Sequence, residues 1–219
     1  SKVINEMLPP IFNQHGLELL SIFPEGEMAV TTFEPFHSPE DLQGKKMRVM
    51  PGSPILFETY KAFGASPVPM TWGDLIGALK TNMVDGQENP TVWIEAYDLD
   101  HLTKVLTYTG HGHFNASASA NKEFFDGLSE RDQKLVRAAA DHAHKIILNE
   151  AEKLDAYGIG RIVRTNPDFQ IVTLTQEERV PFKEAAKAVQ ASFSSKSDSN
   201  KKLLDQMMAD LKEAEEKAE

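Results

Sequence analysis

The sequence predicts an α/β protein built as two lobes joined by a long helix. Between Lys46 and about Asn82 it alternates strand, helix, strand, helix at the spacing of α/β units. A helical apolar pattern that starts at Ser129 then runs for roughly 28 residues, about 42 Å at 1.5 Å per residue, longer than a lobe of this size is wide. The 219 residues are 41% hydrophobic and 26% charged, an ordinary globular composition large enough for two small lobes.

Taken in order, Val3 to Gln14 reads as a helix interrupted by Pro9-Pro10 and stopped at Gly16. Leu17 to Phe23 and Met28 to Phe33 are apolar runs that read as two strands. Ser38-Pro39-Glu40-Asp41-Leu42 has a capping residue followed by proline, the mark of a helical turn, closed by Gly44. Lys46 to Met50 alternates polar and apolar as a short strand does. Ser53-Pro54 opens a helix carrying Phe57, Tyr60, Ala62 and Phe63, which Gly64 ends. Ser66 to Val68 is a further strand. Thr71-x-x-Asp74 caps a helix with Leu75, Ile76 and Leu79 on one face. Strand character returns from Leu102 to Ala120. Ser129-x-x-Asp132 caps the long helix, which Gly158 and Gly160 are expected to end. Phe169 to Leu174 is a last strand, Thr175-x-x-Glu178 caps a helix to about Phe193, and Ser194 to Asn200 is a polar linker. Lys201 to Glu219 forms a final helix with Leu203, Leu204, Met207 and Leu211 inward.

Charge narrows the function. With 23 Lys and Arg against 33 Asp and Glu the net charge is −10, a surface that repels phosphate backbones and anionic lipid. Neither nucleic-acid binding nor direct membrane insertion is expected, and no apolar run approaches the roughly 20 residues of a membrane span. The absence of cysteine excludes disulfides, thiol catalysis and thiolate metal sites. The chain opens on Ser1-Lys2-Val3-Ile4, directly in a helix pattern. Either a targeting segment has been removed or upstream sequence lies outside this chain.

Arg48 is the first candidate site residue. It lies on a strand that turns at Pro51-Gly52, and its planar fork of donors suits bidentate capture of a carboxylate. A solvated or ion-paired strand arginine is the alternative. Asp85-Gly86-Gln87-Glu88-Asn89-Pro90 is the densest polar patch. Asn89 could orient a ligand, and Asp85 with Glu88 could form an acid/base pair, but these residues are also ordinary turn formers. Trp72, at the first turn of a capped helix, suits a cleft wall better than Trp93, though either could be core. His111-Gly112-His113 places two imidazoles on one strand face without a third ligand, so no metal site is expected. No phosphate loop, nucleophile elbow or HExxH motif occurs, and neither catalysis nor a cofactor is predicted.

Read together, three blocks resemble one family. They are Gly44-Lys-Lys-Met-Arg48-Val, Phe63-Gly-Ala-Ser-Pro-Val-Pro-Met70-Thr-Trp72, and Ala78-Leu-Lys-Thr-Asn-Met-Val-Asp85-Gly-Gln-Glu-Asn89-Pro90. The order and spacing are similar to those of the DctP-like extracytoplasmic solute-binding proteins of TRAP transporters. The likeness continues through Lys104-Val-Leu-Thr-Tyr-Thr-Gly-His111 and the long helix after Leu128-Ser-Glu-Arg. It implies a two-lobed periplasmic-binding-protein-like fold that closes on a small organic acid and delivers it to membrane permease subunits. The location implied is the periplasm, reached by a signal peptide absent from this chain. Arg48 then matches the arginine that pairs with the ligand carboxylate, Trp72 a cleft aromatic, and Asn89 the asparagine that hydrogen-bonds the ligand. Glu34, Trp93 and Asn115 are further candidates for the cleft. Glu34 stands where some relatives carry a basic residue, so a ligand hydroxyl or cationic nitrogen is implied if it lines the cleft. The resemblance assigns residues 1–31 and 114–154 to the first lobe with the bridging helix, and 32–113 and 155–219 to the second lobe with the C-terminal helices. Relatives carry a βα segment ahead of the helix matched by Val3 to Gln14, so the first lobe is expected to be incomplete. An α/β enzyme acting on a carboxylate or sugar is the alternative class, and a catalytic residue set would be its mark.

Overall fold

The computed structural model describes residues 1–218, and these divide into two compact units. Unit one comprises Ser1–Pro24, Asn115–Ala151 and the chain from Ser192 onward; unit two comprises Glu25–Phe114 and Glu152–Ala191.

Unit one begins with a π-helical turn, Val3–Met7, that runs into α1, Leu8–Gln14. Pro9 and Pro10 fall in the first turn of α1, where the π-helical turn continues into it, and Gly16 stops the helix at φ +73°. Strand β1 follows as one element, Leu17–Thr32, where two strands were expected. Gly26, at φ +135°, lets the chain remain extended through Pro24-Glu25-Gly26-Glu27. Short helix α5, Lys122–Asp126, is capped by Asn121, whose side chain accepts the Phe124 N–H at 2.9 Å. The N-terminal part of α6, Glu130–Thr165, carries Arg137, which pairs with Glu18 of β1, and His144, which meets the Ser21 hydroxyl at 3.1 Å.

The last helix, α8 (Asp198–Ala218), also belongs to unit one, whereas the sequence reading placed it in the second lobe. The cause is local. Asp210 accepts hydrogen bonds from the Ser1 hydroxyl and from the Val3 N–H at 3.1 Å. Leu203, Met207 and Leu211 share an apolar groove with Val3, Ile4 and Phe12.

Unit two is organised by a sheet. Its strands are β2 (Lys46–Val49), β3 (Ser66–Pro69), β4 (Gly86–Pro90), β5 (Val105–Asn121, up to Phe114 in this unit) and β6 (Gln170–Thr173), with β1 from Glu25 onward. The order is β3-β2-β4-β1-β5-β6. β1 and β4 run antiparallel, with Ala29 opposite Asn89 and Thr31 opposite Gln87. β2 is parallel to both β3 and β4, and β5 is parallel to β6.

Successive residues enter opposite layers, as the period of a strand requires. Ala29, Leu106 and Tyr108 pack with Leu75 and Leu79 of α3 (Trp72–Lys80), Ile94 of α4 (Thr91–Ala96) and Ile162 of α6. Val30, Met47 and Val49 pack with Tyr60 of α2 (Pro54–Ala62), the following Phe63, and Phe182 of α7 (Gln176–Ser195).

Two expectations fail here for physical reasons. The Asp85–Pro90 patch, whose residues are ordinary turn formers, becomes from Gly86 onward the interior strand β4, with Gly86, Gln87, Glu88 and Pro90 buried. Its polar side chains find partners inside the fold, as described below. The long helix does not stop at Gly158 and Gly160 but continues for 36 residues to Thr165. A Cβ at Gly158 would meet Thr91 at 3.5 Å and Glu95 at 3.7 Å, ordinary packing distances, so α6 passes directly beside α4 here. The expected caps at Ser129 and Thr175 do form, and Ser38 with Asp41 makes a reciprocal capping box.

Gly86 is the tightest point of the sheet. A Cβ there would lie 2.5 Å from the Thr31 carbonyl oxygen and 2.8 Å from Met47 Cε. Gly86→Ala is expected to lower stability by about 2 kcal/mol or more, measured by urea unfolding, because a backbone carbonyl cannot turn aside as a side chain can. In unit one, the Ser1 hydroxyl, Gln206 and the Val3 N–H hold the Asp210 carboxyl down to about 2. A depressed acid stabilises the fold above its unfolded-state value and loses that effect as pH falls through its folded value. Asp210→Asn should therefore remove part of the stability lost between about pH 4 and pH 2. An acid-unfolding curve unchanged by the substitution would contradict this.

Candidate functional site

The site grows from strand alternation in β2 and β4. Met47, Val49 and Glu88 enter the layer of α2 and α7, so Arg48, Gln87 and Asn89 face the layer of α3 and α4. Glu88 is closed off on its own side. Its Oε2 accepts from the Tyr60 hydroxyl at 2.8 Å and lies 2.7 Å from His111 Nε2. Burial, reinforced by the Glu88 charge, pushes the Tyr60 phenol well up.

On the site side, Gln87 is fully buried and ties two strands together. Its Nε2 donates to the Thr31 hydroxyl at 2.9 Å, and its Oε1 accepts from Asn89 Nδ2. Asn89 is thereby oriented with its Oδ1 free of donors among the described residues. Arg48 is 4% exposed. Its Nε donates to the Met70 carbonyl at 3.0 Å, and its guanidinium carbon lies 5.8 Å from the centre of the Trp72 ring. Among the described residues its two terminal nitrogens have no acceptor. Burial draws the guanidinium below its usual range, opposed by the Glu88 charge across the sheet. The structure thus holds a buried cation with its fork unmatched.

Trp72 and Asn89 line a pocket of about 240 Å³ together with Glu25, Trp93, Tyr97 and Phe114. The Tyr97 ring stands edge-on to Trp72 at 4.9 Å and tilted against Trp93 at 6.0 Å. Trp93 Nε1 donates to Glu25 Oε2 at 2.8 Å, which fixes the indole and sets a carboxylate at the pocket wall. Four aromatic rings around one carboxylate suit a compact solute carrying delocalised positive charge.

The candidates from sequence separate accordingly. Trp72, Asn89 and Trp93 line this pocket, and Arg48 adjoins it through the Trp72 ring without lining it. Glu34 does neither: it is exposed, pairs with Lys45 at 2.8 Å, and sits in another depression with Thr32, Asn82 and Asp85. Asn115 belongs to unit one and lines its apolar groove beside Ile22 and Met207. Asp85 and Glu88 are not an acid/base pair, since Asp85 accepts the Lys46 N–H at 2.7 Å while Glu88 is held by Tyr60 and His111. Sequence reasoning missed Glu25, Gln87, Tyr97 and Phe114. Only Tyr97 left a signal, four residues after Trp93 at the spacing of one helix face.

Gln87→Leu keeps the side-chain bulk but strands the Thr31 hydroxyl and releases Asn89. A loss of about 1–3 kcal/mol is expected by urea unfolding, the cost of a buried polar group left unpaired. A variant as stable as the parent would show that Gln87 does not hold the site together.

The model of the family described as bacterial extracellular solute-binding protein, family 7 (DctP), matches residues 1–197. The ectoine-binding periplasmic protein TeaA of Halomonas elongata is 44% identical over 220 residues, covering 100% of this chain and 64% of that protein. The ectoine/5-hydroxyectoine-binding periplasmic protein UehA of Ruegeria pomeroyi is 44% identical over 212 residues, 96% of this chain and 62% of its own length. The chain thus spans under two thirds of the length of these two curated relatives. The solved periplasmic ectoine-binding protein from the TeaABC TRAP transporter of Halomonas elongata superposes with a TM-score of 0.94 at 45% identity, over 97% of this chain and 69% of that one. The α/β fold is that of the two-lobed TRAP periplasmic binding proteins. By sequence and by fold, the chain belongs to the DctP family of bacterial extracellular solute-binding proteins.

Proposed function

We propose that the protein is the periplasmic solute-binding component of a TRAP transporter, and that it captures a small zwitterion of the ectoine type for membrane permease subunits. One observation carries the ligand class: the unmatched guanidinium of Arg48 lies against Trp72, whose ring shares a pocket with Glu25 and three further aromatic residues. A carboxylate fits the fork, and a delocalised cation fits the rings and Glu25. Ectoine joins a carboxylate to a cyclic amidinium within a few ångströms. The names of TeaA and UehA support the same class. This is narrower than the organic acid implied by the sequence, because a simple dicarboxylate leaves Glu25 facing like charge. The role is binding rather than turnover, in keeping with the family.

The two tryptophans of the chain, Trp72 and Trp93, both line the pocket, so intrinsic fluorescence reports its occupancy. Titration with ectoine is expected to change the emission and to saturate, with succinate giving little response. Arg48→Ala should weaken ectoine binding at least tenfold, about 1.4 kcal/mol. Arg48→Lys should recover only part of this, since an ammonium is a point donor. Succinate binding more tightly than ectoine would overturn the zwitterion reading. Wild-type affinity in both variants would remove Arg48 from the site.

A further inference from the structure

The loop that closes α4 gathers ligating side chains outside the pocket. Asp98 occupies a left-handed position, φ +52°, and the 3₁₀ turn Leu99–His101 follows it. One ligand atom each from Asp98, Asp100 and His101 lies within 4.8 Å of the others. Asp100 is 2% exposed, and its Oδ2 accepts no hydrogen bond from the described residues. A buried carboxylate oxygen with no donor is costly and calls for a positive partner. The group that Oδ2 faces is His101 Nε2 at 3.6 Å, beyond hydrogen-bond range. Two ligands held at roughly 2.1 Å by a tetrahedral ion stand about 3.4 Å apart, close to that separation. The loop backbone is fixed as well: the Asp100 carbonyl accepts Asn166 Nδ2 at 2.9 Å, and the His101 N–H donates to the Asp98 carbonyl at 3.1 Å.

We propose that Asp98, Asp100 and His101 form a site for a divalent transition-metal ion of the zinc class. The donor set selects the class. An imidazole beside two carboxylates suits zinc, cobalt or nickel, whereas magnesium and calcium draw on oxygen alone. Asp98 and His101 are exposed, which gives the ion an entry path and leaves a face for water to complete its coordination. A cation also relieves the mutual repulsion of Asp98 and Asp100. Asp98 directly follows Tyr97, which packs on both pocket tryptophans, so the ion pins the end of the pocket wall. This inference is independent of the solute assigned to the pocket.

The test uses the chain without a histidine tag, freed of metal by chelation and titrated with Zn²⁺ by calorimetry and with Co²⁺ by visible absorption. One saturable ion per chain is expected, with a rise in melting temperature on adding Zn²⁺. Asp100→Asn keeps the side-chain shape, and His101→Ala alters a half-exposed side chain, so both variants should fold, as circular dichroism can verify. Each should weaken Zn²⁺ binding by at least roughly tenfold, since even outer-shell changes at metal sites cost that much. The thermal response should be lost in the double variant. Absence of saturable binding, binding unchanged in both variants through other histidines such as His37 or His142, or equal affinity for Ca²⁺ would each overturn the proposal.

Discussion

Strand β4 is buried yet carries glutamine, glutamate and asparagine in succession, and the sheet of unit two depends on matching each of them. Glu88 is matched on one face by a phenol and an imidazole. Gln87 is matched on the other by a threonine of the neighbouring strand and by Asn89. Gly86 contributes no side chain because β1 and β2 close over it. Left unmatched among the described residues are the terminal donors of Arg48 on β2 and the acceptor of Asn89, both on the face of α3 and α4. Binding capacity is thus the remainder of a polar ledger settled elsewhere in the same strand, since a buried polar group that lacks a protein partner calls for a ligand or water.

The pocket wall depends on a helix too short to hold itself in place. α4 runs only from Thr91 to Ala96, yet it and its cap residue present Trp93 and Tyr97. Isolated helices of this length have almost no intrinsic stability, so tertiary contact must fix it. The contact is α6, which passes beside α4 at Gly158 and ties Arg161 to Glu95. The same helix supplies Ile162 to the core behind the pocket. A residue far along the sequence therefore sets the aim of two aromatic rings, which explains why the pocket cannot be read from Trp93 and Tyr97 alone.

The sequence made much of this legible, and the failures have physical causes. The helix caps at Ser129 and Thr175 were readable because capping depends on a few neighbouring residues. The placement of Arg48 on a strand and of Trp72 at a helix start was readable from local pattern. β4 was not. Gly, Gln, Glu, Asn and Pro favour turns locally, and only pairing with β1 and β2 on both sides makes them a strand, a tertiary effect that outweighs propensity. The extension of α6 past its glycines was hidden for the same reason, since the helix beyond them is held by tertiary packing of Ile162 in the core. Glu25 and Phe114 come from positions that carried no pattern of their own: one in an apparent break between strands, one late in a long strand. Asn115, beside Phe114, was a cleft candidate, but it lines the apolar groove of unit one and not this pocket.

The state of Arg48 bears on selectivity as well as affinity. A guanidinium taken out of water and given one carbonyl and one aromatic face is incompletely compensated, and its lowered basicity reflects that deficit. On the proposed reading, a ligand carboxylate would both form charged hydrogen bonds and remove this standing cost. An uncharged analogue of the same shape excludes the water that partly served the cation and leaves the deficit in place. Discrimination between the two then exceeds what the hydrogen bonds alone contribute, as expected when a site punishes the wrong ligand with an unpaired buried charge. Glu25 applies the same logic with opposite sign at the pocket wall. One of its oxygens is already engaged by Trp93, so a second carboxylate placed there meets repulsion, while a cation meets attraction over aromatic faces. On the proposed reading, two charges of opposite sign, separated by rings that carry neither, would define both the ends of the solute and its orientation.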